Sequence, residues 1–461
     1  RDSSYARLHG IGAAAVTYSV GAFNLLNACG GAYVEHVPLI AVNACPPYEQ
    51  WQNYRALGLL TSHMSPRRES NLDAYRQVTV EAQVISNPGL APGQIDAALT
   101  ACLSKRRPVY LEVMEDLWDE PCAVAEEPLL RRERPFSARN QTMLASAVAA
   151  ILALVEEHPG PDGRPRPIVW AGEEVERFRL DRQLGDLIQA TGVPFCTTVG
   201  AKAVLDERLP QFHGVYNGKA SHPEVHAIFK DWATCRIGLG TWSTSKNLGG
   251  ELSVGTDWVV AARGGVSVGT QYFPDVQLAR LLPALQDALV ARFGSGGLTA
   301  DYFAEAHAHH GAAEDRPASL EEHRATTLRA GGSSSGSGER LTYDGVFDRT
   351  NHFLAKETRE SWTVVSDAAF SLIGSMDLTL PAGGFLSQVS WLSIGWSVGD
   401  GADFYNVLHP WHYERLADVF SGKKTPAHGV GVAHTSELDE LLARLTDPTD
   451  PVNSGPLLVR V

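Results

Sequence analysis

The sequence has 461 residues, 44% hydrophobic and 20% charged, which excludes a disordered chain and predicts about two to four domains. Its formal net charge is −14, and no basic stripe is present to neutralise phosphates, so a nucleic-acid partner is not expected. The six cysteines form no CxxC pair, which favours reduced thiols and a cytoplasmic location. No run of about eighteen apolar residues occurs, so no membrane span is predicted.

Residues 1–135 alternate buried, strand-like runs with stretches of helical spacing. This alternation predicts βαβ construction around a parallel sheet. The predicted strands lie at 12–18, 37–42 and 108–113, and the predicted helices at 27–33 and 95–104. The chain opens at Arg1 inside an amphipathic pattern, so we expect the first domain to lack its N-terminal part.

A Pro/Gly-rich connector at 159–167 lies near the start of a second α/β domain, which we place at 145–296. A linker at 297–340 ends in a Gly/Ser run, and a third α/β domain is predicted at 341–461. The predicted strands of these domains lie at 168–171, 194–198, 236–240, 362–366 and 456–461. The predicted helices lie at 181–191, 275–293 and 343–356.

Five stretches carry a resemblance to a known family. Residues 5–42, which include AYVEHVP, closely resemble the pyrimidine-binding domain of thiamine-diphosphate enzymes, in particular the 2-oxo acid decarboxylases of the pyruvate/indolepyruvate type. PFCTTVGAKAVLDERLPQFHGVYNG and GTQYFPDVQL resemble the central domain of that family. VVSDAAFSLIGSMDLTLP and SWLSIGWSVG resemble the start of its diphosphate-binding domain.

The resemblance implies an α/β fold of three domains, with parallel sheets flanked by helices and with parts of the first and third domains absent. It implies thiamine diphosphate and Mg²⁺ as cofactors and a small 2-oxo acid as substrate. In this family the cofactor lies between the first domain of one subunit and the third domain of another. A homodimer or homotetramer is therefore expected.

Ser62 and His63 lie where the family carries two adjacent histidines that face the substrate. The resemblance implies that His63 handles substrate or protons, with Ser62 as a second candidate, because an imidazole exchanges protons near neutral pH. Without the resemblance, His63 would be interpreted as a surface-loop histidine. The serine at position 62 favours a substrate or outcome other than simple pyruvate decarboxylation.

Five further residues are candidate cofactor ligands through the resemblance alone. The Leu392 carbonyl would hold the aminopyrimidine, Ile394 would wedge the two cofactor rings into a bent shape, and Ser393 lies between them. Asp367 matches an acid that precedes the diphosphate contacts, and Ser371 is a substitute for a missing hydroxyl. On pattern alone, the segment around Ile394 is equally well a buried strand that runs into a turn.

Two expected elements are missing from the sequence. The glutamate that activates the pyrimidine belongs upstream of Arg1, and the Gly-Asp-Gly metal motif belongs after about residue 399. Mg²⁺ needs oxygen ligands that this motif would supply. Either these stretches are left out of the chain as given, or they are truly deleted and the protein is a non-catalytic relative.

Two weaker patterns have structural alternatives. His307 and His310 share a helical face but lie in a polar linker, and the Gly238–Thr241 turn lacks the later residues of a dinucleotide site. Three functions therefore compete: non-oxidative decarboxylation of a 2-oxo acid to an aldehyde, carboligation to a 2-hydroxyketone, and a cofactor-free structural or regulatory role.

Overall fold

The computed structural model describes residues 10–65, 67–123, 136–245, 247–249, 255–300, 302, 341, 343–356, 364–366, 375–382, 385–387, 415, 417, 421 and 426–460. Contacts between Cα atoms divide the chain into two compact units. The first consists of Arg1–Thr142 with Arg177–Arg179, and the second of Met143–Glu176 with Leu180–Val461. The predicted boundaries of three domains stay a prediction.

The first unit is built on a four-stranded sheet with the order β1-β2-β4-β3. All three pairings are parallel, as the βαβ pattern predicts. The strands are β1 (Gly12–Val16), β2 (Leu39–Cys45), β3 (Ala82–Ile85) and β4 (Val109–Met114), and the helices are α1 (Val20–Val34), α2 (Tyr48–Ala56), α3 (Ser70–Tyr75) and α4 (Ala91–Lys105).

Helices cover both faces of this first sheet. Residues of α1 and α3, including Cys29 and Tyr75, pack with Ala41 and Tyr110 in one apolar cluster. Residues of α4 pack with Val109 and Leu111 in another cluster. Because neighbouring residues of a strand point to opposite faces, Tyr110 and Leu111 belong to different clusters. The first unit therefore has one core on each side of its sheet.

The second unit contains a seven-stranded sheet with the order β11-β10-β9-β8-β5-β6-β7. Strands β5 to β9 pair in parallel, whereas β9, β10 and β11 form an antiparallel meander at one edge. Trp170 of β5 is fully buried and makes edge contacts with Tyr216, Phe229 and Trp258. The strands are β5 (Pro167–Ala171), β6 (Phe195–Thr197), β7 (Phe212–Val215), β8 (Cys235–Leu239), β9 (Trp258–Ala262), β10 (Gly265–Val268) and β11 (Gln271–Phe273).

The helices of the second unit are α5 (Ala138–Glu157, which begins just before the unit does), α6 (Glu173–Arg177), α7 (Asp181–Thr191), α8 (Pro223–Ala227) and α9 (Leu278–Phe293). Further along the chain lie α10 (Tyr343–Lys356), β12 (Val364–Ser366), β13 (Phe385–Ser387), β14 (His428–Gly431), α11 (Thr435–Thr446) and β15 (Leu457–Arg460). The pairs β12–β13 and β14–β15 are both parallel.

Within the described residues, α5 is long and apolar enough to cross a membrane by length and composition. That is weak evidence, because core helices of soluble proteins pass the same test. Its buried residues are spaced along one face, as in a helix that packs on a core. They are Ala147, Val148, Ile151, Leu154 and Val155.

The predicted α/β class, with parallel sheets flanked by helices, is confirmed. The main strands of both sheets lie where the sequence predicts them, within a few residues at each end. The first helix was predicted too short, since α1 begins at Val20 rather than at Asn27. The linker at 297–340 and its His307–His310 pair lie almost wholly outside the described residues.

Candidate functional site

The predicted substrate loop lies just after α2 in the first unit. The Ser62 hydroxyl lies 3.0 Å from Nδ1 of His63, and both side chains are exposed. Which of the two groups donates depends on the tautomer of the imidazole. His63 adopts a left-handed backbone with φ of +53°. Its role toward a substrate stays a prediction, and Nδ1 is the ring nitrogen that contacts Ser62.

Three buried polar side chains on one face of the first sheet are linked into a chain by hydrogen bonds near the carboxyl ends of its strands. Asn43 donates from Nδ2 to the Tyr110 hydroxyl at 2.8 Å, and that hydroxyl donates to Glu112 at 2.9 Å. The register pairs Asn43 with Glu112 on adjacent strands, so the three side chains share one face. All three are buried. The chain places a carboxylate inside the first unit close to where its strands end.

Cys45 ends β2 beside this chain. Burial, together with the nearby charge of Glu112, raises the pKa of the Cys45 thiol to about 12. Arg68 opposes that rise, so its guanidinium also lies near the thiol. A thiol with such a pKa stays protonated near neutral pH, so Cys45 is a hydrogen-bond donor to Glu112 rather than a nucleophile.

Sequence reasoning did not single out Asn43, Tyr110, Glu112 or Arg68. A signal was present, because Asn43 and Glu112 are polar residues inside otherwise apolar strand runs. Buried polar groups of this kind need partners, and the partners depend on strand register, which the sequence does not give.

The carboxyl edge of the second sheet carries a different arrangement. The parallel strands β5 and β8 are neighbours at the point where the strand order reverses, since β6 and β7 lie on one side of β5 and β8 to β11 on the other. Open α/β sheets bind ligands at such a point. There the Glu173 carboxylate accepts hydrogen bonds from Thr198, Asn247 and the Trp242 amide. Burial raises the pKa of Glu173. These three donors are therefore engaged by Glu173 and are not available to a bound anion.

The backbone at this edge is also closely packed. A Cβ added at Gly172 would lie 2.1 Å from Cα of Thr241, and Gly240 adopts a left-handed φ of +70°. The turn Gly238–Thr241 therefore serves close packing of the two strand ends.

The five predicted cofactor ligands, Asp367, Ser371, Leu392, Ser393 and Ile394, lie outside the described residues. Within the described part of the chain, no group of three or more His, Cys, Asp or Glu side chains could hold a metal ion. Of the predicted site residues, the described part of the chain therefore contains Ser62 and His63, and within that part there is no ligand set for Mg²⁺.

Comparison with known families matches two domains in the predicted order. Residues 3–66 match the thiamine pyrophosphate enzyme N-terminal TPP binding domain, and residues 163–270 match the thiamine pyrophosphate enzyme central domain. The first match includes the loop with Ser62 and His63, and the second spans the sheet from β5 to β10. These two matches support the resemblance of the chain to the thiamine-diphosphate-dependent 2-oxo acid decarboxylase family.

Several proteins similar to this chain carry decarboxylase names. A protein named as a probable pyruvate decarboxylase of Schizosaccharomyces pombe is 28% identical over 86% of the chain and 63% of its own length. An indole-3-pyruvate decarboxylase of Azospirillum brasilense is 26% identical over 60% of the chain and 48% of its own length. An alpha-keto-acid decarboxylase of Mycobacterium leprae is 25% identical over 86% of the chain and 62% of its own length. The chain thus spans less than two thirds of each.

Proposed function

We propose that the protein catalyses the thiamine-diphosphate-dependent, non-oxidative decarboxylation of a 2-oxo acid to an aldehyde. The net reaction breaks the bond between the carbonyl carbon and the carboxylate, releases carbon dioxide and adds one proton. The observation that carries the proposal is the pair of family domains in the right order, together with decarboxylase relatives along 86% of the chain.

Thiamine diphosphate, when bound, supplies a carbon nucleophile and a ring that accepts the electron pair left by carbon dioxide. The chain supplies the proton. His63 is the proposed donor, since an imidazole changes charge near neutral pH and Nε2 is the nitrogen not engaged by Ser62. Ser62 orients that ring through Nδ1. Both residues lie on an exposed loop, where a small substrate can reach them.

Mg²⁺ belongs to the proposal as the partner of the diphosphate, because it prefers oxygen ligands and phosphate oxygens. Asp367 and Ser371 are proposed on the diphosphate side. Leu392, Ser393 and Ile394 are proposed on the pyrimidine and ring-wedging side. Their support is the sequence resemblance of the segments that contain them.

We also propose a homodimer or homotetramer. The first unit exposes several large apolar side chains on α1 and on the segment after α2, and Leu60 is 94% exposed. Exposed apolar side chains in this number favour a covering partner. They are Val20, Val34, Leu57, Leu59 and Leu60.

A cytoplasmic location is proposed on the chemistry of the thiols. All six cysteines are free, and five of them are buried. Free buried thiols suit a reducing compartment. No further partner is proposed beyond the substrate and other copies of the chain.

The test is incubation of the full-length protein with thiamine diphosphate, Mg²⁺ and a panel of 2-oxo acids. The proposal expects carbon dioxide and the matching aldehyde, both dependent on the cofactor. Carbon dioxide with a 2-hydroxyketone would favour carboligation. Failure to bind thiamine diphosphate in calorimetry would contradict both enzymatic functions.

A further inference from the structure

Arg68 is a buried cation whose charge is not paired directly. It is 7% exposed, and its guanidinium contacts the Pro46 carbonyl at 3.4 Å and the Met114 sulfur at 2.7 Å. It also lies 5.8 Å from the centre of the Tyr48 ring. Among the described residues, no carboxylate lies within ion-pair distance of Arg68. A carbonyl and a thioether are weak partners for a full positive charge.

The adjacent arginine makes the contrast clear. Arg67 is 70% exposed and forms an ion pair of 3.0 Å with Asp73. Two adjacent arginines thus differ: Arg67 is paired in solvent, whereas Arg68 is buried and has no carboxylate partner in the described part of the chain. Burial of an unpaired charge costs several kcal/mol. A chain that keeps such a charge is expected to use it, most simply for an anion that arrives from outside.

The nearby negative charge of Glu112 lowers the cost of burying Arg68, but the Glu112 carboxylate does not form an ion pair with the guanidinium. Both residues influence the Cys45 thiol, so both lie close to it. The Glu112 carboxylate is engaged by the Tyr110 hydroxyl and by the Cys45 thiol. Nη1 of Arg68 makes no hydrogen bond to another described residue, and it is not among the buried polar atoms that lack a partner, so it retains some exposure to solvent. This nitrogen is therefore available to an incoming oxygen.

The position of Arg68 in the fold fits a ligand contact. Pro46 follows the end of β2, and Met114 is the end of β4, so the guanidinium lies at the carboxyl ends of two adjacent parallel strands. Ligands of open α/β sheets bind outside these ends. Arg68 follows His63 by five residues, which keeps their Cα atoms within about 18 Å.

The chemistry of decarboxylation decides which anion suits this arginine. The reacting carboxylate leaves as neutral carbon dioxide, so a cation bound to it would stabilise the substrate more than the transition state and would slow the reaction. A second carboxylate, remote from the reacting carbon, keeps its charge throughout. Binding of such a group supports the reaction without opposing it.

We infer that Arg68 binds the remote carboxylate of a dicarboxylic 2-oxo acid and so sets the substrate class of this protein. The inference rests on the proposed function for the reaction, but the binding preference exists without turnover. Ser62, in place of a family histidine, leaves more room for a longer substrate on the same loop.

Calorimetry on the full-length protein without added thiamine diphosphate tests this preference. The two probes are 2-oxoglutarate and its isostere in which an isopropyl group replaces the remote carboxylate. A charge-assisted hydrogen bond predicts that the wild type binds 2-oxoglutarate about tenfold to hundredfold more tightly. Arg68→Met should abolish the preference, Arg68→Lys should keep part of it, and the matched control Arg67→Met should leave it unchanged.

An equal affinity of the wild type for both probes would overturn the inference, and so would a preference that survives in a folded Arg68→Met variant. If Arg68→Met does not fold, Arg67→Met and Arg68→Lys are compared instead. The inference is overturned if Arg67→Met loses the preference for 2-oxoglutarate while Arg68→Lys keeps it in full. The KM values of the holoenzyme for the two acids should show the same ratio. A clear binding preference without any release of carbon dioxide would contradict the proposed function and leave the anion site standing.

Discussion

Tyr110 donates a hydrogen bond of 2.9 Å to Glu112, two positions further along the same strand. The phenol is fully buried and stacks on Tyr75 with ring centres 4.0 Å apart. Residues two apart on a strand face the same side of the sheet, so β4 carries both the donor and the acceptor. A buried carboxylate of the first unit therefore depends on one phenol and one thiol.

Tyr110→Phe removes the hydroxyl and leaves the stacked ring in place. The variant should lower the free energy of unfolding by about 1–3 kcal/mol, because Glu112 and Asn43 both lose a buried partner. Urea denaturation followed by circular dichroism measures this difference. Tyr272→Phe is the matched control, since Tyr272 is exposed. Equal midpoints for the two variants would show that the buried chain contributes no stability.

The second unit contains a fully buried ion pair between Lys202 and Glu207 at 2.9 Å. Lys202 also donates to the Leu378 carbonyl, and Glu207 accepts from the Leu380 amide. The pair thus fixes the segment around Leu378 against the chain that follows β6. Burial raises the pKa of Glu207, and Lys202 opposes that rise.

Lys202→Met should lower the free energy of unfolding by about 3–5 kcal/mol, because it leaves a buried carboxylate unpaired. The exposed pair Arg208–Asp206 offers a control six residues further along the chain. Arg208→Met should change stability by less than about 1 kcal/mol. Chemical denaturation of both variants gives the comparison, and similar losses would mean that burial of the Lys202 pair does not matter.

The raised pKa of Glu173 predicts that the stability of the protein depends on pH. Burial raises its pKa above the ordinary value of 4.5, so the folded state holds the proton more tightly than the unfolded state does. The stabilisation is fully present below the ordinary value and is lost as pH rises through the raised value. Glu173→Gln cannot titrate, so its stability relative to the wild type should increase as pH rises above that ordinary value.

Thermal unfolding of wild type and Glu173→Gln across this range measures the effect. Because Glu207 is present in both proteins, its own titration cancels from the difference. A difference in stability that is constant with pH would contradict the raised pKa of Glu173.

His63→Ala tests the proposed proton donor. Loss of a general acid should lower kcat by about a hundredfold or more, while Ser62→Ala should have a smaller effect because it removes only the orienting hydroxyl. His158→Ala is the control, as His158 lies in the second unit on the surface. Steady-state rates of aldehyde formation across neutral pH provide the readout, and an unchanged rate for His63→Ala would remove His63 from the mechanism.

Periodicity predicted most of the fold, because long apolar strands such as β2 and β4 and the amphipathic α7 carry strong local patterns. The meander β9–β11 was not predicted, since its strands are only three to five residues long and join through tight turns. Strand β3 was missed for a similar reason, with four residues of which one is Gln83.

The site was predictable only in part. Family resemblance located Ser62 and His63, and the structure shows that they contact each other. The hydrogen-bonded chain Asn43–Tyr110–Glu112 depends on the register of β2 against β4. The lack of a carboxylate partner for Arg68 among the described residues depends on how the surrounding segments pack. Such non-local relationships are not contained in the spacing of residues along one chain.

Carbon dioxide release tests the central claim most directly. The full-length protein would receive 2-oxoglutarate labelled with carbon-13 in the carboxylate next to the carbonyl, with thiamine diphosphate and Mg²⁺. The account predicts labelled carbon dioxide together with the corresponding aldehyde, and neither product when thiamine diphosphate is omitted. Absence of labelled carbon dioxide from this acid and from monocarboxylic 2-oxo acids, with the cofactor bound, would contradict it.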